Sequence, residues 1–198
     1  MRRRGALVVV DVQVDFCPGG SLPVPEGDLV VPVLNRYLKI FSDKGSPIFA
    51  TRDWHPSDSR HFQTLGGNWP VHCVQQSPGA FFHPDLALPE GTIIISKGMS
   101  RWDNGYSAME GMTDNGTPFP MLLRRMALDR LFVGGLATDY CVKETVLGAL
   151  KDGYLVTLLT DAIRGVNLSP TDSDQAIAEM TGAGAVVATL ATLRESIC

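Results

Sequence analysis

The run Gly5-Ala6-Leu7-Val8-Val9-Val10, closing on Asp11, constrains this chain more than any other stretch. A short, uninterrupted, β-branched apolar segment is the pattern of a parallel strand buried on both faces, and such a strand needs helices on either side of its sheet. The rest of the sequence supplies them. Further strands are expected over residues 47–51, 92–96, 130–134, 154–160 and, briefly, 185–188. Helical periodicity runs over 28–42, 118–127, 138–151 and 171–181, with Gly45 and Gly153 as stops. Strands alternating with helices imply a doubly wound α/β fold with a Rossmann-like, mostly parallel sheet. In open sheets of this kind ligands bind outside the carboxyl ends of the strands, so Asp11 is delivered to the ligand-binding edge.

The 198 residues carry no linker, repeat or low-complexity segment, so a single domain over 1–198 is expected. With a net charge of -4 and no block of like charge beyond Arg2-Arg3-Arg4, neither nucleic acid nor a membrane surface is indicated. A small neutral molecule is the better partner. The apolar run after the arginines meets Asp11 too early for a signal peptide, and no stretch reaches membrane-spanning length. Four scattered cysteines, Cys17, Cys73, Cys141 and Cys198, form no C-x-x-C pair, which points to reduced thiols and a cytoplasmic setting. The sequence has no signature of oligomeric state and leaves a homo-oligomer open.

The candidate nucleophile lies in Gly134-Gly135-Leu136-Ala137-Thr138-Asp139-Tyr140-Cys141-Val142, where a short strand breaks on glycines and restarts as a helix. Thr138 suits the N-cap and Asp139 the first turn. A cysteine in that turn is near unpaired N–H groups and the positive helix end, which are expected to lower its pKa and favour thiolate. The same position also suits a small buried packing residue. Lys97 follows the third strand, so aspartate, lysine and cysteine could meet at one sheet edge, the makings of a cysteine hydrolase.

Residues 52–91 break the strand–helix rhythm. They are rich in Pro, Gly and aromatics, and they hold all four histidines, His55, His61, His72 and His83. Loops of that length without structure of their own are usually functional or disordered, and the aromatics argue against disorder. Asp53-Trp54-His55 projects a carboxylate and an imidazole to one side of an extended chain. His72 could close a three-ligand metal site, with His61 a candidate fourth. One carboxylate with two or three imidazoles suits a divalent ion, zinc first, then iron or manganese. His83 reads as structural or surface.

Taken together, Asp11-Val12-Gln13-Val14-Asp15-Phe16, Gly19-Gly20-Ser21-Leu22-Pro23-Val24, Asp53-Trp54-His55-Pro56, Trp69-Pro70-Val71-His72-Cys73, Lys97-Gly98 with Asp103 and Tyr106-Ser107, and Gly135 to Val142 resemble the nicotinamidase (pyrazinamidase) branch of the isochorismatase-like hydrolases. The resemblance implies a three-layer α/β/α sandwich around a six-stranded sheet. It also implies catalytic Asp11, Lys97 and Cys141, and a metal held by Asp53, His55 and His72, with His61 as a ligand found in some members. It further implies a cis peptide bond between Leu136 and Ala137, presenting the N–H groups of Ala137 and Cys141 as an oxyanion hole. Phe16, Leu22, Trp69 and Tyr106 would wall the substrate. The implied reaction is hydrolysis of nicotinamide, and of pyrazinamide, through a thioester, in NAD salvage. Two other readings stay open: a related hydrolase of another small amide, an N-carbamoyl compound or isochorismate, and a catalytically silent binding module.

Overall fold

The computed structural model describes residues 4–196; Arg2, Arg3 and Cys198 lie outside them. Six parallel strands form one sheet: β1 (Gly5–Val10), β2 (Ile48–Asp53), β3 (Ile93–Lys97), β4 (Arg130–Leu136), β5 (Leu155–Arg164) and β6 (Val186–Ala188). Their order is β3-β2-β1-β4-β5-β6. The helices are α1 (Val30–Asp43), α2 (Phe119–Arg125), α3 (Lys143–Lys151), α4 (Asp172–Gly182) and α5 (Leu190–Ser196).

The alternation of side chains along β1 builds both cores. Leu7 and Val9 project into a cluster with Val30, Leu34, Tyr37, Leu38 and Phe41 of α1 and Leu193 of α5. Ala6, Val8 and Val10 project the other way, onto Phe119 and Leu123 of α2, Val146 and Ala149 of α3, and Ala176 and Met180 of α4. Each such Val or Leu contributes roughly 1.5–3 kcal/mol on burial. The layered arrangement therefore follows from an apolar strand that offers neither face to water.

The sheet differs from expectation at its ends. Lys97 is the last residue of β3 and does not follow it. β5 continues past residue 160 to Arg164, because the polar Asp161 within it is engaged, its Oδ1 accepting from Tyr37 Oη at 2.7 Å. Helix α5 has no counterpart among the expected helices; its opening N–H, at Leu190, donates to the other oxygen of Asp161. Helix α3 is preceded by a π-turn over Thr138–Val142, with Ala137 in the capping position and no side-chain cap, so Thr138 is not the N-cap. Asp139 instead accepts from the N–H groups of Val166 and Asn167, at 2.9 and 2.8 Å.

The order of strands reverses between β1 and β4, so a crevice opens at their carboxyl ends. The segment between β2 and β3 has two 3-10 turns, Gln63–Leu65 and Pro78–Ala80, and otherwise relies on side chains and isolated bridges. Gln13 Nε2 donates to the Ala80 carbonyl at 2.8 Å, the Asp15 carboxylate accepts from Cys73 N–H at 2.7 Å, and Gln75 Nε2 donates to Trp54 O at 2.9 Å. These bonds hold the histidine-bearing loop over the crevice.

Candidate active site

Four adjacent strands deliver the polar residues of the crevice. Asp11 follows β1, Asp53 ends β2, Lys97 ends β3, and Cys141 lies in the turn after β4. Asp53 and Lys97 are register partners across β2 and β3, so parallel pairing alone sets carboxylate beside amine. Lys97 is 1% exposed, which a lysine tolerates only when its charge is met. Its Nζ lies 2.7 Å from Asp11 Oδ2 and 3.5 Å from Cys141 Sγ, and it also donates to Asp53 Oδ1 and to the Gly105 carbonyl. Thr51 Oγ1 donates to the other oxygen of Asp11 at 2.6 Å. One ligating atom from each of Asp11, Asp53 and Cys141 falls within 4.8 Å of the others.

A second cluster adjoins the first. His55, His61 and His72 bring one ring nitrogen each to within 4.8 Å of one another. Asp53 Oδ2 lies 3.6 Å from His55 Nε2 and 3.9 Å from His72 Nε2. Beside both clusters a small cavity is lined by Phe16, Leu22, Trp69, Tyr106, Ala137 and Tyr140, together with Cys141, Asp53, His61 and His72. Trp69 Nε1 donates to Tyr106 Oη at 2.8 Å, and Tyr140 meets Trp69 edge-on at 4.9 Å. The peptide bond between Leu136 and Ala137 is cis.

The isochorismatase domain model matches residues 5–192. The chain belongs to the isochorismatase family.

Among its relatives, this isochorismatase-family chain is 43% identical to the nicotinamidase of Escherichia coli (strain K12), over 96% of this chain and 97% of that one. Its fold matches the pyrazinamidase of Pyrococcus horikoshii, solved in complex with zinc, with a TM-score of 0.87 and 45% identity over 94% and 99% of the two chains. It also matches PnC1 from L. infantum, solved in complex with nicotinate, at TM-score 0.83 and 36% identity over 94% and 92%.

Electrostatics in this family member run against one expectation. Burial raises the Asp11 pKa above the ordinary carboxyl value, with Lys97 pulling it back only in part. The Cys141 thiol is not activated by its helix turn: burial pushes its pKa well above 9.0, Lys97 opposes this, and Asp11 and Asp53 add to it. A half-charge at a helix end is outweighed where the sulfur is desolvated between two carboxylates. This favours the protonated thiol, and Asp11, with a carboxylate oxygen within 4.8 Å of the sulfur, is the group placed to take its proton. Burial disfavours the Lys97 charge, yet Asp11, Asp53 and Cys141 together raise its pKa well above 10.5.

The imidazoles fit a cation. His55 Nδ1 lies 3.0 Å from the Gly98 carbonyl and His72 Nδ1 lies 2.7 Å from that of Pro70. A carbonyl only accepts, so each Nδ1 carries a proton, which leaves Nε2 as the ring atom that could meet an ion. His55 Nε2 is buried without a hydrogen-bond partner, the mark of an atom that awaits a ligand. Burial, aided by the neighbouring rings, lowers His61 to about 4, and burial lowers His72 too, keeping both rings neutral. Burial works against the Asp53 charge, but Lys97, His55 and His72 outweigh it and hold that carboxyl well below the usual range. Ligand atoms sharing one ion at about 2.0–2.1 Å stand roughly 3.3 Å apart, close to the Asp53–His55 spacing.

Sequence reasoning did not single out Tyr140, Val24 and Val166, which also line the cavity. An aromatic next to the candidate nucleophile could have flagged Tyr140; Val24 and Val166 sit in loops with no distinguishing pattern. Cys17 and Cys73 are buried free thiols outside both clusters, and burial raises both. His83 Nδ1 accepts from Asp85 N–H at 3.2 Å, a local structural role.

Proposed function

We propose that this protein is a metal-dependent nicotinamidase, a single catalytic domain that hydrolyses nicotinamide, and pyrazinamide, to the acid and ammonia in NAD salvage. The observation that carries the reading is the meeting of Asp11, Lys97 and Cys141 beside three imidazoles and a small aromatic-lined cavity. The nicotinamidase and pyrazinamidase relatives, one of the latter solved with zinc, and PnC1, solved with nicotinate, agree with it.

Asp53, His55, His72 and His61 would hold one divalent ion, zinc being the first candidate on its donor set. When bound, the ion offers the pyridine nitrogen a coordination position and so orients the ring. Phe16 and Trp69 enclose the ring, with Leu22 and Tyr106 completing the wall. Asp11 takes the thiol proton as Cys141 sulfur attacks the amide carbon, then returns it to the departing ammonia. The acyl group is left on sulfur as a thioester, and a water deprotonated by the same carboxylate releases the acid. Lys97 favours the ionised form of Asp11 against its burial and offsets the charge developing on sulfur. The N–H groups of Ala137 and Cys141 stabilise the oxyanion, a contribution of about 3–4 kcal/mol for each such donor.

Among the described residues no helix is long and apolar enough to cross a membrane. The free thiols Cys17, Cys73 and Cys141 support a cytoplasmic enzyme. The test is ammonia release from nicotinamide before and after chelation, with the bound ion identified by elemental analysis. Release that chelation abolishes and added zinc restores is expected; metal-replete protein without release overturns the reading.

A further inference from the structure

Gln13 lies three residues past the end of β1, is fully buried, and has no part in the chemistry above. The β1 backbone leaves the ladder at Asp11, whose φ is +49°, so β1 cannot supply the next pair of hydrogen bonds to β2. The last backbone bond across that seam is Asp11 N–H to the Thr51 carbonyl at 3.2 Å. One strand step further, the Gln13 side chain takes over. Its Oε1 accepts from Asp53 N–H at 2.8 Å and its Nε2 donates to Asp53 O at 2.9 Å. The carboxamide is thus a peptide group in a strand's place, pairing with both polar groups of Asp53 as a neighbouring backbone would. The same Nε2 donates to Ala80 O, tying in the far part of the histidine loop.

Asp53 is the residue most exposed to error here. One carboxylate oxygen accepts from Lys97 while the other faces two imidazoles, so a small rotation of its peptide moves it toward one cluster and away from the other. On its other side Asp53 is held by β3, through its register pairing with Lys97 and the bond from Trp54 N–H to Lys97 O at 2.9 Å. Gln13 closes the side that β1 abandons.

We propose that Gln13 is a positioning residue for the metal site, its carboxamide replacing the missing strand so that the Asp53 carboxylate is shared between Lys97 and the ion. The inference rests on the metal-site part of the proposed function. Groups that orient a ligand typically cost ten- to a hundredfold in metal affinity when removed.

The test is zinc affinity by competition with a chromophoric chelator, for the parent chain, Gln13→Met and Gln13→Asn, alongside the melting temperature of each metal-free protein. Gln13→Met keeps the volume without the amide. Gln13→Asn keeps the amide but is one methylene too short to reach both Asp53 groups and Ala80, and carries the test if the methionine variant does not fold. A tenfold or greater loss of zinc affinity is expected in the folded variants, with amidase activity partly restored by excess zinc. Variants that melt earlier yet bind zinc as the parent does overturn it, since Gln13 is then a structural residue only. A parent that binds zinc but releases no ammonia from nicotinamide sinks the proposed activity and leaves this inference standing.

Discussion

Lys97 Nζ stands 3.5 Å from Cys141 Sγ at the end of a strand pairing that also sets it against Asp53. Through that one ammonium the thiol, the acid at position 11 and the imidazole cluster become a single electrostatic unit. Replacing it by Lys97→Met leaves two buried carboxylates facing each other without a cation. Removing one partner of a buried ion pair costs about 3–5 kcal/mol, which for a chain of this length is a fall of roughly 10 °C in melting temperature. Calorimetry and an amidase assay should show that fall together with the loss of turnover; a variant that melts with the parent contradicts the shared role.

On the proposed mechanism Cys141 carries the chemistry without carrying the fold. Cys141→Ala removes one sulfur from a site bordering a cavity, so melting should shift by only a few degrees while ammonia release disappears. Residual turnover above a thousandth of the parent rate means that another group is the nucleophile.

Gly98 has φ of +64°, and a Cβ there would sit 2.4 Å from His55 Cε1. The carbonyl of the same residue orients His55 through Nδ1. Gly98→Ala therefore strains the backbone by about 1–3 kcal/mol and displaces a ring proposed to hold the metal. Metal content after dialysis should fall below that of the parent, and an alanine variant with full metal content and unchanged melting would refute the argument.

Tyr106 accepts the indole proton of Trp69 and so fixes one wall of the pocket. Tyr106→Phe keeps the ring and loses a hydrogen bond of about 1 kcal/mol, close to a fivefold change in an equilibrium constant. KM for nicotinamide should rise by about that factor with kcat little altered. A fall in kcat with KM unchanged would place the phenol in the chemical step instead.

Cys17 gives a pH dependence with a defined sign. Burial, and secondarily Asp28, raises its pKa from 9.0 to about 11. The folded chain holds this proton more tightly than the unfolded chain, so the stability it contributes is complete below pH 9 and is lost as pH rises from about 9 to about 11. Urea midpoints across that window should decline less steeply for Cys17→Ala than for the parent; equal slopes would show that the thiol is not linked to folding.

Much of the fold was legible because its signals are local. The run of residues 5–10 has only one way to hide, and β1 has those bounds. Helix α1 follows from the spacing of Leu34, Leu38 and Phe41, although its first turn is 3-10 and delays the α-helix to Val30. The late part of β5 was not legible, since Asp161 reads as a strand end until Tyr37, from α1, is seen to bond it.

The candidate site divides along the same line. By itself the sequence determined which side chains were available: an acid after one buried strand, an amine at the end of another, a thiol after a glycine break, and histidines in one unsupported loop. It also determined the alternation that brings strand ends to a common edge, because apolar periodicity is written residue by residue. Only tertiary structure decided their charge states and neighbours. The thiol pKa moved opposite to the helix-end argument because desolvation depends on what surrounds the sulfur from every side. The part taken by Gln13 was hidden because it exists only where one strand stops short of another. Solvation and ladder completion are sums over groups distant in the chain, and such sums have no value until the chain is folded.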